Sequence, residues 1–351
     1  MNKQKTKKEN NSFTVLDAFR FFFYLVIVIF VTSFIFQIVL TIIGNIKGYS
    51  VAETEVVSVL EYVISPVVLI VFSIIYSSIR KVKLKSAFSD GQSISLLPIS
   101  VAIVLSIIAI FLFTPFMEAV EYGFMQWGYN PDDTIPMEEK MKSSGGYFFL
   151  GLFVYALLPA IAEEIVFRGI IQSSILSKYK GTVAVTISTL LFTLMHGALQ
   201  QTVYQLVMGI MLGYVACVGG SILYSIILHF LNNTFVLLFG CFEIVPYLSE
   251  GFLYYNIFSL VFPICIFLLG LVLVGILFWV LKYLRTKNFF RYEPKKKKNK
   301  KQQEEEVVEN KLSFKDLWKN TAYNEKVFAF TSLILVGVIW LINTISGFMV
   351  T

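Results

Sequence analysis

Long apolar stretches separated by short polar segments dominate the pattern of this sequence. A helix needs about 20 apolar residues to cross the hydrocarbon of a bilayer. About nine stretches reach or approach that length, and they predict membrane-spanning helices at about 19–44, 56–79, 94–117, 147–176, 182–198, 201–217, 220–241, 252–281 and 327–350. Two of them, 182–198 and 201–217, are short, and eight spans is the alternative count. The predicted fold class is all-α, a polytopic membrane helical bundle.

Composition excludes the other broad classes of protein. Hydrophobic residues make up 56% of the chain and charged residues 15%, against roughly 25% charged in an ordinary soluble domain. The 34 phenylalanines oppose disorder. The three cysteines are scattered through apolar runs and leave one unpaired, which excludes a disulfide scaffold. A multi-pass protein of the cell membrane remains.

Charges in the loops predict the orientation, because cytoplasmic loops carry an excess of lysine and arginine. With the N-terminus in the cytoplasm, the basic residues at 80–85, at 178–180 and in segment 282–301 all fall inside. The acidic loop 118–146 falls outside. The net charge is +6, but basic runs beside membrane spans favour contact with anionic lipid over nucleic-acid binding.

The same pattern divides the chain into five units. They are spans one to three with an acidic outer loop (1–146), a core of four spans (147–241), an eighth span (242–281), a charged cytoplasmic linker (282–326) and a last span (327–351). The linker is basic and then acidic. We interpret it as a solvated segment that contacts anionic lipid through 282–301, with a docking or regulatory segment as the alternative.

The ionisable residues expected deep in the membrane are confined to spans four, five and seven. They are Glu163, Glu164, Arg168, His196 and His229. The protein has only two histidines, and both are in this set. A charge near the bilayer centre costs on the order of 2.5–3.5 kcal/mol on insertion scales. Such residues therefore need a partner or a function.

Spacing suggests how these residues are grouped. Glu164 and Arg168 are four residues apart and share one helix face, so we expect them to form an ion pair. Glu163 lies about 100° around the helix and is left available for chemistry. The alternative is that both glutamates bind Arg168 and only hold helices together. His229 and Asn233 also share one face.

Three motifs in this order resemble those of the CPBP family. They are Glu163-Glu164-x-x-x-Arg168, Phe192-x-x-x-His196 and His229-x-x-x-Asn233. This family comprises type II CAAX prenyl endopeptidases and bacteriocin-processing or immunity membrane proteins, and it is also called the Abi family. The resemblance covers about residues 147–240, the four-span core. Each motif falls on its own predicted span, which makes the combination much more specific than any one motif.

The resemblance implies an intramembrane endopeptidase that hydrolyses a peptide bond in a membrane-embedded or membrane-tethered peptide or protein. It implies that Glu163 activates a water molecule and that His196 holds this water or assists proton transfer. It also implies that His229 and Asn233 stabilise the oxyanion or complete the catalytic site. The chemistry agrees, because amide hydrolysis needs a general base and hydrogen-bond donors at the developing oxyanion.

A metal is an open question for this site. Glu163, His196 and His229 are candidate ligands for a catalytic zinc ion with an open position, and the family is widely labelled as metalloprotease. However, the histidines are not in an HExxH arrangement, and Glu164 and Arg168 are expected to brace the site as a pair. The sequence therefore slightly favours a metal-free glutamate mechanism over zinc.

Two other functions compete with peptidase activity. The first is a non-catalytic CPBP-like membrane scaffold or bacteriocin-immunity protein, against which the complete motif set argues. The second is a proton-coupled carrier, because intramembrane Glu and His also form proton relays. The sequence shows no inverted repeat and no matching pair of broken helices that would favour a carrier.

Overall fold

The computed structural model describes residues 12–47, 55–84, 95–129, 138–242, 258–286, 312–313 and 323–349. These residues form ten helices. We number them α1 (Val15–Lys47), α2 (Glu55–Arg80), α3 (Leu96–Gln126), α4 (Glu138–Ser143), α5 (Gly145–Leu176), α6 (Gly181–His196), α7 (Thr202–Gly219), α8 (Ile222–Phe242), α9 (Phe258–Thr286) and α10 (Tyr323–Met349).

The predicted polytopic helical bundle is confirmed. Within the described ranges, eight helices are long and apolar enough to cross a membrane. The fifth predicted span, 182–198, corresponds to α6, an apolar helix of 16 residues. Eight helices therefore qualify by length alone, and counting the shorter α6 as a crossing gives the nine predicted spans.

One predicted boundary was wrong. We expected span three to end near residue 117, but α3 continues to Gln126, so Glu118 and Glu121 lie on the last turns of this helix. A π-helical segment, Ala109–Phe113, precedes Pro115. Proline lacks an N–H to donate to the preceding turn, and this irregular segment lets the helix continue past it. Residues 130–137 of the predicted loop lie outside the described residues.

Helices α1 and α2 form an antiparallel pair held at one end by Asp17. This carboxylate accepts a hydrogen bond from the backbone N–H of Thr14 at 2.9 Å, and the Thr14 hydroxyl accepts one from the Asp17 N–H. That reciprocal arrangement is a capping box, which satisfies N–H groups at the helix start. The same buried carboxylate lies 2.6 Å from Nε of Arg80, at the end of α2. The start of α1 and the end of α2 therefore lie on the same side of the bundle.

Close approach of α7 to its neighbours depends on two glycines, Gly209 and Gly213. A Cβ added at Gly209 would lie 2.8 Å from the side chain of Thr189 on α6. A Cβ added at Gly213 would lie 2.8 Å from the side-chain oxygen of Gln172 on α5. Small residues four apart let membrane helices approach until their backbones are accessible to polar side chains. As a result, α7 packs closely against the polar side chains of α5.

A short part of the predicted linker contacts the bundle. The backbone N–H of Lys180 donates to the carbonyl of Leu312 at 2.9 Å, and the N–H of Leu312 donates to the carbonyl of Lys178 at 3.2 Å. Lys178 also lies 3.4 Å from the carboxylate of Glu325, at the start of α10. The end of the linker is thus attached to the turn between α5 and α6. Segment 287–311, which holds most of the predicted lipid-binding charge, lies outside the described residues.

Candidate active site

Three helices position the polar residues singled out by the sequence. Glu163 lies inside α5, directly before Glu164 and the π-helical segment Ile165–Gln172. His196 is the last residue of α6, which ends at Gly197 with a φ of 69°. His229 lies on α8. The structure therefore brings together residues from separate parts of the chain.

Glu163 faces both histidines. Its Oε2 atom lies 3.7 Å from Nε2 of His196 and 3.8 Å from Nε2 of His229. This oxygen is buried and accepts no hydrogen bond from any described residue. The side chain as a whole remains 20% exposed, because another part of it borders a cavity. Glu163 is thus partly accessible but held between two imidazole rings.

The hydrogen bond that Nδ1 makes in each imidazole ring determines the tautomer, and so which group Nε2 presents to Glu163. Nδ1 of His196 lies 2.9 Å from the carbonyl oxygen of Phe192, and Nδ1 of His229 lies 3.0 Å from Oε1 of Glu164. A carbonyl and a carboxylate are acceptors, so Nδ1 donates in both rings. Nε2 of each ring is the nitrogen that faces Glu163. An Nε2 without a proton is an acceptor, so a molecule that donates hydrogen bonds suits the space between the rings and the carboxylate.

Glu164 and Arg168 form the expected ion pair. Nη1 of Arg168 lies 2.6 Å from Oε1 of Glu164, and both side chains are fully buried. Nη2 of Arg168 donates to the carbonyl of Gly209 at 3.1 Å, and the guanidinium carbon lies 4.5 Å from the centre of the Phe192 ring. The pair therefore connects α5, α6 and α7. Its charges are balanced without the participation of Glu163.

The two adjacent asparagines of α8 have different environments. Asn233 borders the same cavity as Glu163 and His196. Asn232 is buried, and its side-chain oxygen accepts a hydrogen bond from the hydroxyl of Tyr204 on α7. Only Asn233 is therefore placed to reach a molecule in the cavity.

The cavity has a volume of about 550 Å³ and lies where α2, α5, α6 and α8 meet. It is lined by Glu61, Tyr62, Ser65, Pro66, Leu69, Tyr155, Pro159, Glu163, His196, Gln201, Asn233, Val236 and Leu237. Sequence reasoning missed the contribution of α2. Glu61 is the third residue of the spanning segment Val59–Arg80, too near its end to count among the residues at depth.

The glycines of α7 were also missed. Gly209 and Gly213 form a G-x-x-x-G pair, which is a recognised signal for close helix packing in membranes. That spacing would have predicted the close contact with α5, although it does not show which polar side chains use the exposed carbonyls. The structure shows that Arg168 uses the first carbonyl and Gln172 the second, the latter at 2.9 Å.

The three candidate metal ligands meet at Oε2 of Glu163. Glu163, His196 and His229 offer the oxygen and nitrogen donors that zinc accepts. Within the described part of the chain, however, no three His, Cys, Asp or Glu side chains are arranged to hold a metal ion.

Fold and site together define the class of this molecule, a multi-pass membrane protein with a polar site enclosed by its helices. Residues 145–235 match the family model of the Rce1-like type II CAAX prenyl endopeptidases. The match covers all six predicted site residues and about a quarter of the 351-residue chain. It confirms the resemblance indicated by the three motifs and supports an intramembrane CAAX-type endopeptidase in general. Neither the curated proteins nor the solved structures contain a match.

Proposed function

We propose that this protein is an intramembrane endopeptidase that cleaves a membrane-embedded or membrane-tethered peptide by general-base activation of water. The observation that supports this most strongly is the position of Glu163. Its Oε2 atom is buried without a hydrogen bond from the described residues and faces Nε2 of two histidines at the edge of a cavity. A water molecule there donates one hydrogen bond to the carboxylate and one to an imidazole.

The reaction then follows from this arrangement. Glu163 accepts a proton from the water as the water oxygen bonds to the carbonyl carbon of the scissile peptide. The resulting tetrahedral intermediate carries a negative charge on the former carbonyl oxygen. Glu163 returns the proton to the peptide nitrogen as the C–N bond breaks, which leaves a carboxylic acid and an amine. Nε2 of His196 or of His229 orients the water by accepting its second hydrogen bond.

Asn233 supplies the hydrogen-bond donor for the oxyanion. Its side-chain amide has two N–H donors and borders the cavity beside Glu163. One such donor is typically worth about 10²–10³ in rate. Glu164 and Arg168 have a different role, because Glu164 holds Nδ1 of His229 and Arg168 balances the charge of Glu164. They keep the catalytic ring in one orientation.

A cleavage assay with purified protein tests this function. Candidate peptides with a lipid anchor or a transmembrane segment are incubated with the protein in liposomes, and the products are identified by mass spectrometry. We expect one new carboxyl terminus and one new amino terminus for each cut. Prolonged incubation with a chelator is expected to leave the rate unchanged. Loss of cleavage that zinc restores would replace this mechanism with a metal-dependent one, and no cleavage of any peptide would favour a scaffold.

A further inference from the structure

The charged side chains that line the active-site cavity include carboxylates but no described lysine or arginine. The two carboxylates are those of Glu61 and Glu163. The potential inside such a cleft is negative, because low-dielectric walls concentrate the field of the charges that line it. Glu163 is the proposed general base of the reaction. Glu61 is a second carboxylate in the same cavity that the proposed reaction does not use.

Glu61 is held in place by a neutral partner. Nε2 of Gln37 on α1 donates to Oε1 of Glu61 at 3.3 Å. No ion pair of Glu61 is found within the described part of the chain, in contrast to Glu164, whose charge Arg168 balances. The hydrogen bond from Gln37 orients the carboxylate without neutralising it. A cationic group in the cavity would supply the missing charge.

Two tyrosines line the same cavity as this carboxylate. The rings of Tyr62 and Tyr155 are arranged edge to face with their centres 4.8 Å apart, and both residues line the cavity. Aromatic faces attract ammonium and guanidinium groups. A cavity lined by a carboxylate and two tyrosines therefore has the chemistry to bind a lysine or arginine side chain, whose aliphatic part is compatible with the apolar wall.

The cavity also continues beyond the catalytic residues. Glu61 and Ser65 line a second cavity of about 170 Å³ between α1 and α2, whose wall includes Thr32, Ser33 and Gln37. Glu61 thus lies where the two cavities meet. An extended peptide that leaves the active site along this polar path passes Glu61.

We infer that Glu61 determines substrate specificity by binding a basic side chain of the peptide near the scissile bond. This inference rests on the proposed peptidase function. Both carboxylates line one cavity of about 550 Å³, so the basic residue lies within a few residues of the cut.

Matched peptides test this inference. A library of membrane-tethered peptides first identifies a cut site. The peptide is then prepared with Lys, Gln or Glu at each of the three positions on either side. We expect kcat/KM to be about tenfold higher for the best Lys peptide than for its Gln counterpart. Glu61→Gln should remove this preference while cleavage of the Gln peptide persists. Glu61→Lys should shift the preference to the Glu peptide.

Glu139→Gln is the control, since this carboxylate is on α4 with its side chain 92% exposed. Wild-type protein that cleaves Lys and Gln peptides equally, or a Glu61→Gln variant that keeps the wild-type preference, would overturn the inference.

A binding experiment separates failure of this inference from failure of the proposed function. Fluorescently labelled Lys and Gln peptides are titrated onto Glu163→Gln protein with and without the added Glu61→Gln change. Preferential binding of the Lys peptide that depends on Glu61, combined with no cleavage by wild type, would disprove the peptidase and keep the role of Glu61. Cleavage without any charge preference would keep the peptidase and disprove that role.

Discussion

Glu163 and Glu164 are adjacent in the sequence, but the fold gives them different partners. Glu164 is fully buried with Arg168 and holds one histidine. Glu163 faces Nε2 of two histidines and a cavity. The difference follows from the helix, since consecutive residues point about 100° apart. One carboxylate thereby supports the structure while its neighbour remains available to react.

Arg168→Ala is predicted to destabilise the protein strongly. The change leaves Glu164 as an uncompensated buried charge and removes the hydrogen bond to the carbonyl of Gly209. Breaking a buried pair in this way typically costs about 3–5 kcal/mol. Thermal unfolding in detergent measures the effect. Lys142→Ala is the control, because its pair with Glu138 lies on the surface and such pairs contribute about 0–1 kcal/mol.

A different result would reassign Arg168. If the Arg168→Ala variant unfolds at the wild-type temperature but has lost activity, Arg168 acts on the substrate or in catalysis. The bracing role would then be wrong.

Replacement of Asn233 is predicted to reduce activity, whereas replacement of the adjacent Asn232 is predicted to reduce stability. Asn233→Ala should lower kcat by about 10²–10³ and change the unfolding temperature little, since Asn233 borders the cavity. Asn232→Ala should mainly reduce stability, by about 1–3 kcal/mol, because it leaves the buried hydroxyl of Tyr204 without its acceptor. Activity per folded molecule and unfolding temperature, measured on both variants, separate these effects. An unfolding temperature lowered more by Asn233→Ala than by Asn232→Ala would contradict this assignment.

Residue spacing predicted much of the candidate site. The i, i+4 rule gave the pair of Glu164 with Arg168, because both ends lie on one helix and the rule is local. Glu61 could not be found in this way. Its contact with the cavity depends on where α2 packs against α5, and nothing near residue 61 in the sequence determines that packing.

At the scale of helices, α5 and α7 hold the site through a repeated contact. Arg168 and Gln172 of α5 donate to the carbonyls of Gly209 and Gly213 on α7, four residues apart on each helix. Arg168 and Gln172 belong to the π-helical segment Ile165–Gln172. Such segments often occur at functional sites. The contact fixes Arg168, and through it Glu164 and His229.

Gly209→Ala is predicted to destabilise the bundle, although alanine normally favours a helix. Its Cβ would lie 2.8 Å from the side chain of Thr189, so this side chain or the two helices must shift. Overpacking of this kind typically costs about 1–3 kcal/mol. The unfolding temperature is the measurement, and Gly275→Ala in α9 is the control. At Gly275 a Cβ meets nothing within 4 Å, so that change should be neutral or stabilise by up to about 1 kcal/mol. Equal effects of the two changes would show that the contact between α6 and α7 is not tight.

Helix boundaries show the limits of prediction at this scale. Hydropathy located all the long helices, because a spanning segment must be apolar throughout. It ended span three too early, since the amphipathic end of α3 is more polar than its beginning. The π-helical segments also left no signal in hydropathy, because they change the backbone and not the composition.

At the scale of the whole molecule, the distribution of charge favours one orientation in the membrane. We propose that the N-terminus and the 282–326 linker are cytoplasmic and that 138–146 is outside. Arg80, Lys178 and Arg285, at or near the ends of α2, α5 and α9, then all lie on the cytoplasmic side, in agreement with the excess of basic residues expected there.

Cysteine labelling is predicted to reveal this orientation. After replacement of the three native cysteines, Lys300→Cys should react with an impermeant maleimide only when the reagent has access to the cytoplasmic side. Glu139→Cys, on the exposed face of α4, should react from outside and serves as the opposite control. Labelling of Lys300→Cys from outside would contradict the orientation and the number of spans on which it depends.

The peptidase mechanism is tested most directly by the rate of peptide cleavage in Glu163→Gln. Glutamine keeps the size and hydrogen-bonding capacity of the side chain but cannot accept the proton of the water. We predict a loss of at least about 10²–10⁴-fold in kcat, at an unchanged unfolding temperature. Glu139→Gln, prepared and assayed in parallel, should retain the wild-type rate. Full proteolytic activity of Glu163→Gln would contradict the mechanism.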